Sequence, residues 1–224
     1  MVTRDSHRTS AGPEIPIVSA EHALRRLMEG NRRFVDNTRS EHIAIGPAAR
    51  AALVEGQRPF AIILSCSDSR VPAEIIFDQG LGDLFVIRVA GNVVAPSLVG
   101  SVEFAAAAFG TRLAVVMGHT RCGAIKSTLD DVLGEGEGEV LTDNIRDIVE
   151  RCRSPVETVV SAAGRECARD ALMRQAVRAN VRNSCDHLRH GSRLIERLCA
   201  EEGMRIVGAE YALETGEVTF LDPP

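Results

Sequence analysis

The sequence lacks several features that would place a protein in a broad functional class. Its 26 Lys and Arg residues are outnumbered by 31 Asp and Glu residues, and the net charge of −5 leaves no basic excess to hold nucleic acid. No apolar run approaches the roughly 20 residues that cross a bilayer. The amino-terminal stretch has no apolar core typical of a secretory signal. We therefore expect a cytoplasmic protein that binds neither nucleic acid nor membrane.

Cysteine is present but sparse, with six residues among 224. Because no secretory signal is expected in a chain of this length, so few cysteines argue against a disulfide scaffold. The question becomes which thiols bind metal or do chemistry. An apolar content of 45% is typical of a globular protein with a sizeable core. Residues 1–18 are polar and aperiodic, which predicts a flexible tail before a single domain over residues 19–224.

Three short apolar runs predict the strands of a buried parallel sheet. They read FAIILSC, LFVIRVAG and RLAVVMGH, and they begin at residues 60, 84 and 112. An alanine-rich helix lies between the second and third runs, so the alternation of strand and helix predicts an α/β fold with crossover connections. The final segment predicts two more strands joined by a Thr-Gly turn.

Helical patterns occupy most of the remaining chain. Ser19 and Ser97 suit helix N-caps, and Pro47 suits the first turn of a helix. A loop that reads GEGEGEV interrupts the helical pattern after the third strand. The predicted helices cover about residues 20–37, 47–56, 97–110, 142–152 and 156–199, with another beginning near Cys122.

Two cysteines and a histidine follow predicted parallel strands. Cys66 comes after the first strand, and His119 and Cys122 come at the end of the third. Ligands of open α/β sheets bind at the carboxyl ends of the strands, so these residues share the expected edge. Two thiolates and an imidazole suit Zn²⁺, and three protein ligands leave the fourth tetrahedral position open for catalysis. A structural zinc site would normally have four.

The motif around the first cysteine, CSDSR, adds an acidic and a basic side chain. Arg70 beside Asp68 would keep the carboxylate ionised and fix its direction. Asp68 could then accept a hydrogen bond from a water molecule at the metal and orient it for attack. Alternatively, Asp68 could itself be the fourth ligand, which would close the site.

CSDSR and the second motif, GHTRCGA at 118–124, resemble the two zinc motifs of the β-carbonic anhydrase family. The similarity continues at EGNRRFV (29–35), at VPAEIIFDQGLGDLFVIRVAGN (71–92) and at the final GAEY, and it covers roughly residues 20 to 221. The resemblance implies a central, mostly parallel sheet with one antiparallel strand, flanked by helices. It also implies homodimers or dimers of dimers, and it assigns zinc to Cys66, His119 and Cys122.

The implied activity is the zinc-dependent, reversible hydration of carbon dioxide to bicarbonate and a proton by zinc-bound hydroxide. The resemblance assigns Asp68 and Arg70 as the catalytic dyad. Two alternatives stay open: a hydrolase of carbonyl sulfide or carbon disulfide on the same zinc site, and a zinc-bearing regulatory module without turnover. The dyad argues against the regulatory module, because a structural site needs neither residue.

Two further groups have less support. Cys185, His187 and His190 form a Cys-x-His-x-x-His pattern, but on a helix Cys185 and His187 would point to different faces. Some members of the family have an inhibitory bicarbonate site built from Trp, Arg and Tyr. Arg88 and Tyr211 match two of these positions, but Ile63 takes the place of the Trp and the chain has no Trp.

Overall fold

The computed structural model describes residues 17–40, 45–135, 142–163 and 167–221. The flexible-tail prediction for residues 1–18 falls almost wholly outside these ranges, as does most of the GEGEGEV loop. The helices are α1 (Ala20–Val35), α2 (Pro47–Ala52), α3 (Ala73–Ile76), α4 (Pro96–Ala108), α5 (Gly123–Leu133), α6 (Asp143–Ala163), α7 (Arg169–His190) and α8 (Arg193–Glu201). The strands are β1 (Ala61–Ser65), β2 (Leu84–Arg88), β3 (Leu113–His119), β4 (Arg205–Tyr211) and β5 (Val218–Phe220).

The five strands form one sheet in the order β2-β1-β3-β4-β5. The first four are parallel, and β5 pairs with β4 in the antiparallel direction. This confirms the predicted α/β class with one antiparallel strand. It also confirms the final hairpin, where Gly216 has a φ of 81° in the turn. The crossovers bring the carboxyl ends of β1 and β3 side by side.

The central strands are apolar because both of their faces are covered. All residues of β1 and β3 are buried, whereas β2 is half-exposed along most of its length. The expectation that the second run would be buried on both faces is therefore wrong. The reason is its position: β2 is the edge strand of the sheet, with only β1 beside it.

Helix α1 is joined to the sheet by the segment that reads EGNRRFV. The Ser19 side chain accepts a hydrogen bond from the backbone N–H of His22, which confirms the predicted N-cap. A Cβ on Gly30 would lie 1.9 Å from the carbonyl oxygen of Phe77, so only glycine allows this close approach. Its neighbour, Asn31, is buried and bonds to three backbone groups on two other elements.

Several predicted helix boundaries are wrong. Ser97 is not the N-cap of α4, because the helix begins at Pro96 and is preceded by Ala95. Helix α6 continues through Pro155, whose ring is buried, instead of stopping near residue 152. The long helix predicted to end at Cys199 is divided at Gly191 and Ser192, where the Ser192 side chain caps α8.

Among the helices in the described ranges, none has the combination of length and apolar character that a membrane-spanning segment requires.

Candidate metal centre

The backbone brings Cys66, His119 and Cys122 together at the carboxyl edge of the sheet. Cys66 directly follows β1, His119 is the last residue of β3, and Cys122 is the N-cap of α5. All three are buried, and their ligand atoms lie within 4.8 Å of one another. Within the described residues, this is the one group of three such side chains that could hold a metal ion.

The histidine ring is held in one tautomer. Its Nδ1 lies 2.9 Å from the carbonyl oxygen of Thr120. A carbonyl only accepts hydrogen bonds, so Nδ1 carries a proton, and in the neutral form of the ring the Nε2 lone pair is free to bind a metal. Nε2 is fully buried and has no hydrogen-bond partner. An unpartnered nitrogen in such a position is costly unless a metal binds it.

The two thiols are close enough to form a hydrogen bond with each other. Their Sγ atoms are 3.9 Å apart. The hydrogen bond with Cys122 lowers the pKa of Cys66, and this outweighs the opposing effect of burial. The same contact, together with burial, raises the pKa of Cys122. The contact thus favours a thiolate at Cys66 over one at Cys122, and a divalent cation would supply the charge needed to ionise both thiols.

The distance between the two sulfurs fits zinc. Two sulfurs bound at about 2.3 Å to a tetrahedral ion lie about 3.8 Å apart. The observed separation of 3.9 Å therefore requires almost no rearrangement. A free imidazole nitrogen, a thiolate and a second thiol form a borderline-soft donor set. Such a set binds zinc better than it binds magnesium or calcium.

Asp68 lies beside this group and is paired with Arg70. The guanidinium donates from Nε to Oδ1 at 2.9 Å and from Nη2 to Oδ2 at 2.7 Å, while the Arg70 backbone N–H donates to Oδ1 at 3.0 Å. These bonds hold the pKa of the Asp68 carboxyl well below its usual range. Oδ2 is 3.8 Å from Nε2 of His119. The carboxylate is thus adjacent to the three donors while bound to arginine.

The loop between His119 and Cys122 has a backbone conformation that the sequence did not predict. Arg121 has a φ of 56°, a region that costs a residue with a side chain about 1 kcal/mol or more. Glu214, from the β4–β5 hairpin, accepts hydrogen bonds from Thr120 Oγ1 at 2.8 Å and from Arg121 Nε at 2.7 Å. These bonds lower the pKa of Glu214 to about 2. The hairpin thereby holds the loop that carries His119 and Cys122.

Arg88, at the end of β2, holds the loop that follows β1 and carries Cys66 and Asp68. Its Nε donates to the carbonyl of Cys66 at 3.2 Å and its Nη2 to the carbonyl of Asp68 at 2.6 Å. Ile63 is fully buried in the sheet and offers no polar group. The inhibitory bicarbonate site stays an untested hypothesis.

The Cys-x-His-x-x-His pattern does not form a metal-binding group. Cys185 is buried in the core beneath α7, whereas His187 and His190 are exposed. The helix thus separates the thiol from the imidazoles, as the sequence predicted.

Comparisons with known proteins agree with this geometry. Residues 61–218 match the family described as "Carbonic anhydrase". Carbonic anhydrase 2 of Mycobacterium tuberculosis is 38% identical over 210 residues, which span 93% of this chain and 96% of that protein. The solved structure of the β-carbonic anhydrase CcaA is 28% identical with a TM-score of 0.68, covering 89% of this chain and 95% of CcaA.

A third similarity concerns the fold alone. The structures described as two tetrameric β-carbonic anhydrases from Sordaria macrospora are 23% identical, with a TM-score of 0.67. The match covers 80% of this chain and 88% of that one. The family match covers most of the sheet, and the relative of 38% identity and the buried Cys-His-Cys group agree with it. The chain therefore belongs to the β class of the carbonic anhydrase family, whose general reaction is the hydration of carbon dioxide.

Proposed function

We propose that the chain hydrates carbon dioxide at a zinc ion held by Cys66, His119 and Cys122. One observation carries the proposal: a fully buried Nε2 without a partner faces two sulfurs at nearly the separation of tetrahedral zinc ligands. When bound with an open position, zinc supplies hydroxide near neutral pH by lowering the pKa of water. The chain's other residues position the reactants.

Asp68 has the role of orienting the attacking water. Its carboxylate is ionised and can only accept hydrogen bonds, so a water molecule beside it must direct an O–H toward it and a lone pair away. The bidentate pairing with Arg70 fixes the plane of the carboxylate. This pairing also supports the open arrangement over the alternative in which Asp68 is a fourth ligand, because the carboxylate oxygens are already engaged.

The first test compares metal content with activity. The purified chain should contain about one zinc per chain, and Cys66→Ser should lose both zinc and carbon dioxide hydration. Cys199→Ser is the matched control, because that thiol is half-buried on α8 and belongs to another part of the core. Full hydration activity in a Cys66→Ser protein that holds no metal would refute the proposal.

The same assay separates the alternative activities. Carbonyl sulfide and carbon disulfide should be run in parallel with carbon dioxide on one preparation. We expect carbon dioxide to be the preferred substrate. A preparation that holds zinc and hydrolyses the sulfur compounds but does not hydrate carbon dioxide would support the hydrolase, and one with no turnover on any of the three would support the regulatory module. A cytoplasmic location stays a prediction.

We also infer that the chain forms dimers or dimers of dimers. Helix α4 is apolar around most of its circumference, and Phe104 on its outer face is 56% exposed. The Phe104 ring lies 5.6 Å from that of Phe109 and 6.2 Å from that of Phe85 on the edge strand β2. An exposed aromatic cluster of this kind is typical of an interface, and a second copy of the chain is the occupant that the tetrameric relatives favour.

The cluster gives a direct test of assembly. Phe104→Glu places a charge in the middle of the apolar face, so it should shift the species measured by light scattering at micromolar concentration toward monomer. Glu103→Gln, on the neighbouring position of α4, is the control and should leave the assembly unchanged. A parent protein that is monomeric and fully active would contradict the inference.

A further inference from the structure

A short turn after β2 lies against the proposed zinc ligand Cys66. The turn is a 3-10 segment, Ala90–Asn92, in which Gly91 has a φ of 69° and Asn92 a φ of 44°. The backbone N–H of Gly91 donates a hydrogen bond to the Cys66 sulfur at 3.4 Å. This peptide group is therefore the immediate neighbour of a thiolate, although it is far from that residue in sequence.

The turn has little room to move on the side of the helices. A Cβ on Gly91 would lie 3.0 Å from the Cβ of Ala124 and 3.3 Å from the sulfur of Cys152. Asn92 is buried and has a side chain, so its positive φ is an unfavourable conformation that neighbouring groups must maintain. The turn thus needs an external support.

Two side chains of α7 provide that support. Nδ2 of Asn180 donates to the Gly91 carbonyl at 2.8 Å, and Oγ of Ser184 donates to the Asn92 carbonyl at 3.0 Å. The two residues are four apart, so they lie on one face of the helix. Both are almost fully buried, at 1% and 2% exposure, so water does not screen or replace these bonds.

The orientation of the Asn180 amide follows from these contacts. Its Oδ1 has no protein partner, and a reversed amide would set that oxygen against the Gly91 carbonyl. The amide must therefore direct its NH₂ group at the turn. An aspartate at this position would keep the shape but lose the donor.

We propose that Asn180 is a positioning residue for the Cys66 thiolate, acting through the backbone of Gly91. The N–H and the carbonyl of Gly91 belong to the two peptide groups on either side of its Cα. By holding the carbonyl, Asn180 fixes the Gly91 backbone in the orientation that directs its N–H at the sulfur. That N–H···S bond fixes the direction of the thiolate and sets how much charge it donates to the metal. The inference rests on the proposed zinc site, and it assigns to a helix distant in sequence a part in tuning that site.

The test uses two Asn180 variants and measures the metal site itself. Asn180→Asp keeps the shape without the donor, and Asn180→Leu removes both polar atoms. Zinc affinity is measured by competition with a chelator, and the cobalt-substituted protein is examined for its near-ultraviolet thiolate-to-metal charge-transfer band. We expect about a tenfold to hundredfold loss of zinc affinity and a shifted band in both variants.

Leu188→Ala separates positioning from general damage to α7. Leu188 is fully buried on the same helix and belongs to the core cluster that includes residues of α4 and α8, but its side chain has no polar atom to bond to the turn. This variant should lose stability yet keep the zinc affinity and band of the parent. If Asn180→Asp does not fold, Asn180→Leu and Ser184→Ala test whether the support from α7 tunes the metal site. Ser184→Ala removes the bond to the Asn92 carbonyl.

The outcomes are distinct. Parent-like affinity and an unmoved band in the Asn180 variants that fold would overturn the inference. An equal change in Leu188→Ala would overturn it too, because the effect would then come from loosened packing. A parent protein that binds no zinc would refute the proposed function instead.

Discussion

Replacing Asn31 should strongly destabilise the protein, because its buried side chain bonds to three backbone groups outside α1. The Nδ2 group donates to the carbonyls of Ile76 at 3.2 Å and Gly216 at 2.9 Å, and Oδ1 accepts from the N–H of Val218 at 2.8 Å. One buried side chain therefore connects α1 to α3 and to the β4–β5 hairpin. Asn31→Ala breaks all three bonds and leaves three backbone groups without partners.

The magnitude follows from counting these bonds. A hydrogen bond contributes about 0.5–1.5 kcal/mol net, and an unsatisfied buried partner increases the cost. Three bonds therefore predict a loss of about 1.5–4.5 kcal/mol in the free energy of unfolding. In a chain of this size each kcal/mol lowers Tm by about 2–4 °C, so Tm should fall by about 10 °C.

The assay is denaturant unfolding at fixed pH, protein concentration and zinc concentration, because metal binding and association both change apparent stability. Asn144→Ala, at an exposed position in the first turn of α6, is the matched control and should change stability by less than about 0.5 kcal/mol. Asn31→Asp should be at least as damaging as Asn31→Ala, since it sets a carboxylate oxygen against two carbonyls. A loss below about 1 kcal/mol in Asn31→Ala, with an unchanged m-value, would refute the reasoning, and a mild Asn31→Asp would refute the assigned amide orientation.

Four other predictions concern the site and its supports. Arg70→Ala should depress carbon dioxide hydration while zinc is retained, since Asp68 loses its bidentate partner; full activity in this variant would exclude the dyad. The carbon dioxide hydration activity of the parent should rise between pH 6 and 9. Two thiolates offset the charge of zinc, so the pKa of a zinc-bound water should lie above the roughly 7 of a three-histidine site. A hydration activity that does not change with pH over this range would contradict the argument. The hydrogen bonds to Glu214 depress its pKa from the usual 4.5 to about 2, so its contribution to stability is present above pH 4.5 and is lost as the pH falls toward 2. The Tm difference between the parent and Glu214→Gln should therefore shrink between pH 4.5 and pH 2. A Tm difference that stays constant over this window would argue against the bonds to Thr120 and Arg121. Gly30→Ala should prevent α1 from packing on the Phe77 carbonyl, giving a large loss of stability by calorimetry, whereas Gly46→Ala, where an added Cβ meets no atom within 4 Å, should not.

Local patterns explain which parts of this structure were predictable from the sequence. The strands were found because continuous apolar runs fill the middle of a sheet, and the Cys-His-Cys group was found because its members follow those strands. The exposure of β2 was missed, since an edge strand and a central strand have similar compositions. The supports from Glu214 and Asn180 left no local signal, because their partners lie 93 and 89 residues away.

Helix ends were the least predictable feature. The break between α7 and α8 lies at Gly191, where the helical pattern of apolar residues continues on both sides. The passage of α6 through Pro155 depends on the burial of the proline ring against the core, which no window of sequence around Pro155 records. In both places tertiary packing outweighed the local preference.

The separation of the proposed zinc ligands along the chain has a consequence for how the protein matures. Cys66 and Cys122 are 56 residues apart and meet only when β1 pairs with β3, which follows it in the chain after α3, β2 and α4. Such non-local pairing forms late and slowly in folding, because the chain must first lose the entropy of closing a long loop. Zinc can be captured in full coordination only after that step, so the rate of metal uptake by a refolding chain should report the assembly of the central sheet.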